Sequence, residues 1–282
     1  MANTKSIALD NSSLQYLSIT DANQTGLDFS TAFTFMGWVK FDSLPIASGR
    51  AGFMFKWEVS AGTGRTYHVG LFNNSGTYFV RAEIANTGDT DEDQLQVNWT
   101  PTVSTWYHVA TTWDGTAKTM RLYVNGSLVG TSAVGSIATL NNGTEEFRLG
   151  TWSPGVEKYN LDGKMDEVGV YNTSLTLATI SSDYNSGDGT ERSGSETGIQ
   201  GAWRFEDNLT DLTANDNDLT NNNSGTYSSD VPFAGSTTAT TPTDSEVNIS
   251  DSQSITESIE SNASLADINP TSLNKKTVRI WS

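Results

Sequence analysis

Three groups of residues have the types and spacings that could do chemistry. Asp89, Asp91 and Asp93 in "GDTDEDQ" stand at i, i+2 and i+4, a spacing that calcium loops use. The glycine and the distant glutamate of an EF-hand loop are missing, because Gln94 and Thr100 occupy those places. A solvated acidic turn is the expectation here. Asp166 and Glu167 form the second group. A glycosidase needs two acids facing one groove, and adjacent residues of a strand point to opposite faces, so this pair alone does not supply them. The third group centres on His108 in "WYHVATTWDGTAKTMRLYVNG", which runs from Trp106 to Gly126. A catalytic base needs an orienting partner and a nucleophile or water within reach. The aromatic neighbours of His108 instead predict a structural role in a sheet. His68, in "TYHVGLF", sits on a strand with no motif around it.

Aromatic side chains offer a different chemistry. Trp57, Trp152 and Tyr159 fall in or beside predicted loops, where a ring can stack on the apolar face of a sugar. They are the candidate ligand-binding residues.

The elements that must position these groups are short strands. From Trp106 to Trp113, Tyr107, Val109 and Trp113 point one way while Trp106, His108 and Ala110 point the other. "DGTAK" closes a hairpin, Met120, Leu122 and Val124 alternate against Arg121 and Tyr123, and Asn125-Gly126 supplies a two-residue turn. Runs such as "FTFMGWVKF", "GFMFKWEV", "YFVRAEI", "LQVNW" and "GKMDEVGVY" repeat this pattern between Gly, Asn, Asp and Ser clusters. Many short strands so spaced predict an all-β, antiparallel sandwich. One helix is predicted where Leu177, Ile180 and Tyr184 fall at i, i+3 and i+7 before "NSG", with a glycine stop.

Composition narrows the function classes. The 282 residues carry a formal net charge of −17, a surface that repels a phosphate backbone, so nucleic acid is not an expected partner. There is no cysteine, which excludes a thiol nucleophile, a disulfide framework and a thiolate zinc site. As written, the sequence has no apolar leader and no run long enough to span a membrane. Hydrophobic residues make up only 35%, but eight Trp, nine Tyr and eleven Phe partly compensate by burying large areas. None of these aromatics lies between Phe233 and Trp281, so the core must be built before that gap.

"FTFMGWVKF", "WYHVATTWDGTAKTMRLYVNG" and "LDGKMDEVGVYNTSLT" resemble, in order and spacing, the laminin-G-like members of the concanavalin A-like jelly-roll superfamily, over roughly residues 7 to 187. The resemblance implies two antiparallel sheets packed face to face, with a concave face and rim loops open to ligands. It also implies a structural Ca2+ near the strand of Asp166, with rim groups such as Asp10 as partners. The family's hydrolases carry Glu-x-Asp-x-x-Glu on one strand, and no such segment occurs here, so a non-catalytic module is expected. "GAWRFEDNLTDLTANDND" resembles the strand and loop that usually open such a domain, yet here it follows the last strand. Residues 199–233 are therefore read as a permuted closing strand and loop of one domain, 1–233, with the start of a second, truncated domain as the alternative.

Beyond it, 234–274 reads as an acidic Ser/Thr-rich linker arm and 275–282 as a terminal docking strand. Ile255, Ile259, Val278, Ile280 and Trp281 are apolar residues on a polar arm, placed to dock on a partner or a neighbouring copy. The arm and the missing leader fit a protein at a virion surface or outside cells. The expectation is a decoration or adhesion protein of a bacterial virus that binds cell-surface glycans. A secreted or cell-surface carbohydrate-binding module is the alternative, and a glycan hydrolase the third reading.

Overall fold

The computed structural model describes residues 2–57, 64–86, 88 and 90–234. Ile255, Ile259, Val278, Ile280 and Trp281, with the predicted arm and terminal strand, lie outside the described residues, as does Asp89.

Alternating apolar residues build two antiparallel sheets. One contains β1 (Ser6–Leu9), β3 (Ala32–Phe41), β8 (Trp106–Asp114), β9 (Thr119–Val124), β10 (Ser127–Thr131), β12 (Gly163–Tyr171), β13 (Ile199–Trp203) and β15 (Thr226–Ser228). Its order is β10-β9-β8-β3-β12-β1-β15, with β13 also paired to β12. The second contains β2 (Tyr16–Ile19), β4 (Arg50–Lys56), β5 (Tyr67–Asn74), β6 (Thr77–Ala85), β7 (Glu92–Asn98), β11 (Phe147–Leu149) and β14 (Thr220–Asn222), in the order β14-β2-β11-β4-β5-β6-β7.

The sheets close over one aromatic-rich core that includes Phe33, Phe41, Phe53, Trp113, Phe147 and Trp203. Burying each such side chain stabilises the fold by about 1.5–3 kcal/mol. The β9–β10 hairpin turns at Asn125 and Gly126, with φ of 49° and 68°. Both lie in the left-handed region that an Asn-Gly turn accommodates.

The lane beside β12 is shared. Ile7 to Leu9 of β1 pair with Met165 to Gly163, while Ile199 to Trp203 of β13 pair with Tyr171 to Val168. The start of the chain and a strand from late in the chain thus lie end to end along one partner. β14 pairs with β2, and β15 with β1, so the segment after Gly198 contributes to both sheets. Neither β14 nor β15 is evident from sequence alternation, because both are short and polar.

Helix α1 (Leu177–Tyr184) packs on the eight-stranded sheet through Ile180, which is fully buried. Thr176 caps its start by accepting the Thr179 amide at 3.2 Å. Its stop is Asn185 in the left-handed conformation, not Gly187. Leu177, predicted for the apolar face, is exposed. No helix among the described residues is long and apolar enough to cross a membrane.

Candidate ligand-binding face

The two broad outer faces of the sandwich differ. Over the eight-stranded sheet, Ile180 and Tyr184 of α1 meet Met36, Tyr123, Tyr171 and Trp38, and Phe233 packs on Trp38 as well. That face is covered. No α-helix lies over the seven-stranded sheet among the described residues.

Strand alternation gives this second face its chemistry. Tyr67, Val69 and Leu71 of β5 and Val80, Ala82 and Ile84 of β6 enter the core, so His68, Phe72, Phe79, Arg81 and Glu83 turn outward. Phe55, Trp57, Phe72, Phe79 and Trp152 form a separate apolar cluster there, with Tyr159 packed against it. A 3-10 turn at Glu157–Tyr159 and a bridge between Thr151 and Asn160 bring Trp152 and Tyr159 together, with ring centroids 4.7 Å apart. Two adjoining cavities open on this floor, of about 250 and 300 Å³, and Arg50, Phe72 and Arg81 line both.

Arginines lie over the floor. The Arg50 guanidinium sits 3.5 Å from the Trp152 ring centroid and 4.9 Å from that of Phe72, within cation–π range. Arg81 lies over Phe72 and Arg65 over Trp57. Arg65 pairs with Glu92, and Arg81 Nε stands 3.2 Å from Glu83. His68 stacks on Phe55 at 4.9 Å and its Nε2 is 3.0 Å from Glu83. Burial lowers the His68 pKa against the pull of Glu83, so the imidazole is neutral near pH 7. Burial alone would raise Glu83, but the His68 hydrogen bond and the Arg81 charge outweigh it and hold the carboxyl at about 2.

A laminin G-like family model matches residues 11–181, more than half of the chain. The chain belongs to the concanavalin A-like lectin/glucanases superfamily. Solved structures similar to this superfamily member include a Bacteroides ovatus protein described as carbohydrate-binding, with a TM-score of 0.58 and 18% identity over 81% of this chain and 60% of that one. The chain thus spans less than two thirds of that protein. Another is the native heptameric SAP-like pentraxin of Limulus polyphemus, at a TM-score of 0.53 and 15% identity over 80% and 94% of the two chains. At these identities the likeness is one of fold. No curated protein matches the chain.

Within this concanavalin A-like sandwich, the three aromatic candidates gather at one place. Trp57 and Trp152 are only 4% and 8% exposed, so they make the floor of the cavity and do not project as free stacking platforms. Arg50, Arg81, His68 and Phe72 join these candidates at the site. The sequence signal for His68, Phe72 and Arg81 is the outward half of the β5 and β6 alternation, while Arg50 opens β4 opposite Phe72.

Asp10 and Asp166 do not come together. β1 runs antiparallel to β12 with Leu9 opposite Gly163 and Ile7 opposite Met165. Asp166 therefore lies about 13 Å from Asp10 along the strand, at 3.3 Å per residue. Asp10 accepts hydrogen bonds from Ser12 and Ser13 in its own loop. The fully buried Asp166 accepts from the Asn3 side chain and the Glu167 amide, at 3.0 and 2.8 Å. No group of three or more His, Asp or Glu among the described residues could hold a metal, so these two residues do not fit a shared Ca2+.

A bulge between Asp166 and Gly169, with Glu167 at φ 47°, breaks the alternation expected for the two acids. Both carboxyls are buried, and Glu167 accepts from the Arg192 amide and from Arg204. His108 is buried with its Nε2 3.0 Å from Asp183, which also pairs with Arg192. These groups fasten the segment after α1 to the sheet. Asp91 and Asp93 accept from Ser136 and Ile137, as staples of a loop.

Proposed function

We infer that this chain is a glycan-binding module that holds a saccharide on the outer face of the seven-stranded sheet. One observation carries the reading: of the two outer faces, this one pairs an aromatic floor with charged hydrogen-bonding groups around adjoining cavities. Apolar floors with a few placed polar groups are what small ligand sites require. Membership of a lectin-containing superfamily and the Bacteroides ovatus likeness support the same class.

The site favours binding over hydrolysis. Glu83 and Glu92 are the acids that line the cavity among the described residues, and they stand close enough to shift one another's titration. Each also faces a cation. Paired glycosidase carboxyls instead stand about 5 Å or more apart across a sugar bond. Turnover of any glycan that Glu83→Gln abolished would overturn the non-catalytic reading.

The test of binding is a broad array of immobilised neutral and acidic glycans. At least one saccharide is expected to bind, and Trp152→Ala should weaken it by about tenfold or more. A variant that bound as well as the parent would move the site elsewhere.

The module is further read as displayed, at a virion surface or outside cells, on a larger assembly such as a bacterial virus particle. Supporting this is the composition of 236–282, where apolar residues are scattered on an acidic Ser/Thr-rich arm. Removing 236–282 should abolish co-migration with large particles from the native source; continued co-migration would refute the tether.

A further inference from the structure

The cavity contains a cation with no acid at ion-pairing distance among the described residues, although the charge of Glu83 reaches it from across the cavity. Arg65 has Glu92 and Arg81 has Glu83, whereas the Arg50 guanidinium has aromatic neighbours and no acidic or hydrogen-bonding partner among the described residues. It is half-buried. Leaving a desolvated cation unpaired is costly, and this chain, with 33 acidic residues against 16 basic ones, has acids to spare. A second donor lies in the same lining: the indole N–H of Trp152 is buried without an acceptor. Two residues of this lining thus carry donors without a partner among the described residues, and an anion is what satisfies such donors.

We propose that the glycan held here carries a carboxylate sugar, bound through Arg50 with the Trp152 N–H as a second donor. A planar guanidinium matches a carboxylate through two parallel hydrogen bonds, a fit that a point charge lacks. The Trp152 ring beneath Arg50 limits its freedom and lowers the entropy lost on binding. The rest of the ligand is neutral. On the outward positions of β7, Gln94, Gln96 and Asn98 are exposed, and amides suit sugar hydroxyls. The net charge of −17 also repels a polyanion. One acidic sugar on an otherwise uncharged oligosaccharide satisfies both conditions.

This inference rests on the glycan-binding reading, and the experiment separates the two. Affinities are measured by titration calorimetry or NMR at about 0.15 M salt for two matched pairs, sialyllactose against lactose and cellobiouronic acid against cellobiose. In at least one pair the acidic member should bind about tenfold or more tightly than its neutral partner, and the responding pair tells a nonulosonic from a uronic acid. Arg50→Gln should erase the preference for the acidic member, whatever it does to the affinity for the neutral one. Arg50→Lys, which keeps the charge but not the fork, should restore only part of it. Melting temperatures of both variants serve as the folding control. Equal binding of both members in both pairs would overturn the carboxylate while leaving glycan binding intact. An acidic preference that survived Arg50→Gln would overturn its assignment to this residue. Absence of binding to these pairs and to the whole glycan array would refute the glycan reading itself.

Discussion

Glu167 shows how one buried group gives the protein a pH dependence. Burial raises its carboxyl to about 7, against the opposing effect of the Arg192 amide and Arg204, and the charge of Glu167 in turn helps push buried Asp166 upward. In the unfolded chain a glutamate titrates near 4.5. Between those values the folded state holds a proton that the unfolded state has released. The stability from neutral Glu167 is thus complete below the unfolded value and lost as pH rises through about 7, by up to roughly 3 kcal/mol. Glu83 works in the other direction, since its folded value of about 2 makes its contribution present above 4.5 and lost on strong acidification. Neutral buried His68 and His108 also lose stability as pH falls below the ordinary imidazole value. The informative measurement is therefore a comparison. From pH 5 to pH 8 the melting temperature of the parent should fall more than that of Glu167→Gln. Parallel profiles would refute this account.

At the scale of elements, β13 closes the sandwich. Trp203 is fully buried, stacks on Phe147 of the opposite sheet at 5.7 Å, and donates its indole N–H to the Asn217 carbonyl at 3.0 Å. It thus joins the late segment to both sheets. Trp203→Ala is expected to cost about 3–5 kcal/mol by urea unfolding, and a cost below about 1 kcal/mol would mean that β13 is dispensable. The strand itself was legible in "IQGAWRF", where apolar residues and a tryptophan follow a turn-rich stretch. Its place in the first domain was expected from the resemblance to an opening strand, but its sharing of one lane beside β12 with β1 was not, because pairing partners far apart in sequence leave no periodic trace. The helix was legible from Ile180, but its end was misplaced. Asn185 adopts φ 49° and stops the helix two residues before the expected glycine.

For the whole molecule, the unit from Met1 to Thr237 holds its own core, with every residue of the main cluster at or before Leu219. A protein ending at residue 235 should then melt within about 2 °C of the full chain, even as it loses the assembly proposed for 236–282. A large drop in melting temperature would show that the arm belongs to the fold.

The order of apolar and polar residues by itself determined the all-β class, most strands, the Asn125-Gly126 turn and the place of His108 on a strand. Those features depend on local period, and local period is written in the chain. Only the tertiary structure decided which outer face was covered, that Trp57 and Trp152 lie in a floor and that Arg50 stands over it. It also separated Asp10 from Asp166. Each of these depends on strand register and on a bulge, and a shift of one residue in either reverses which side chains meet.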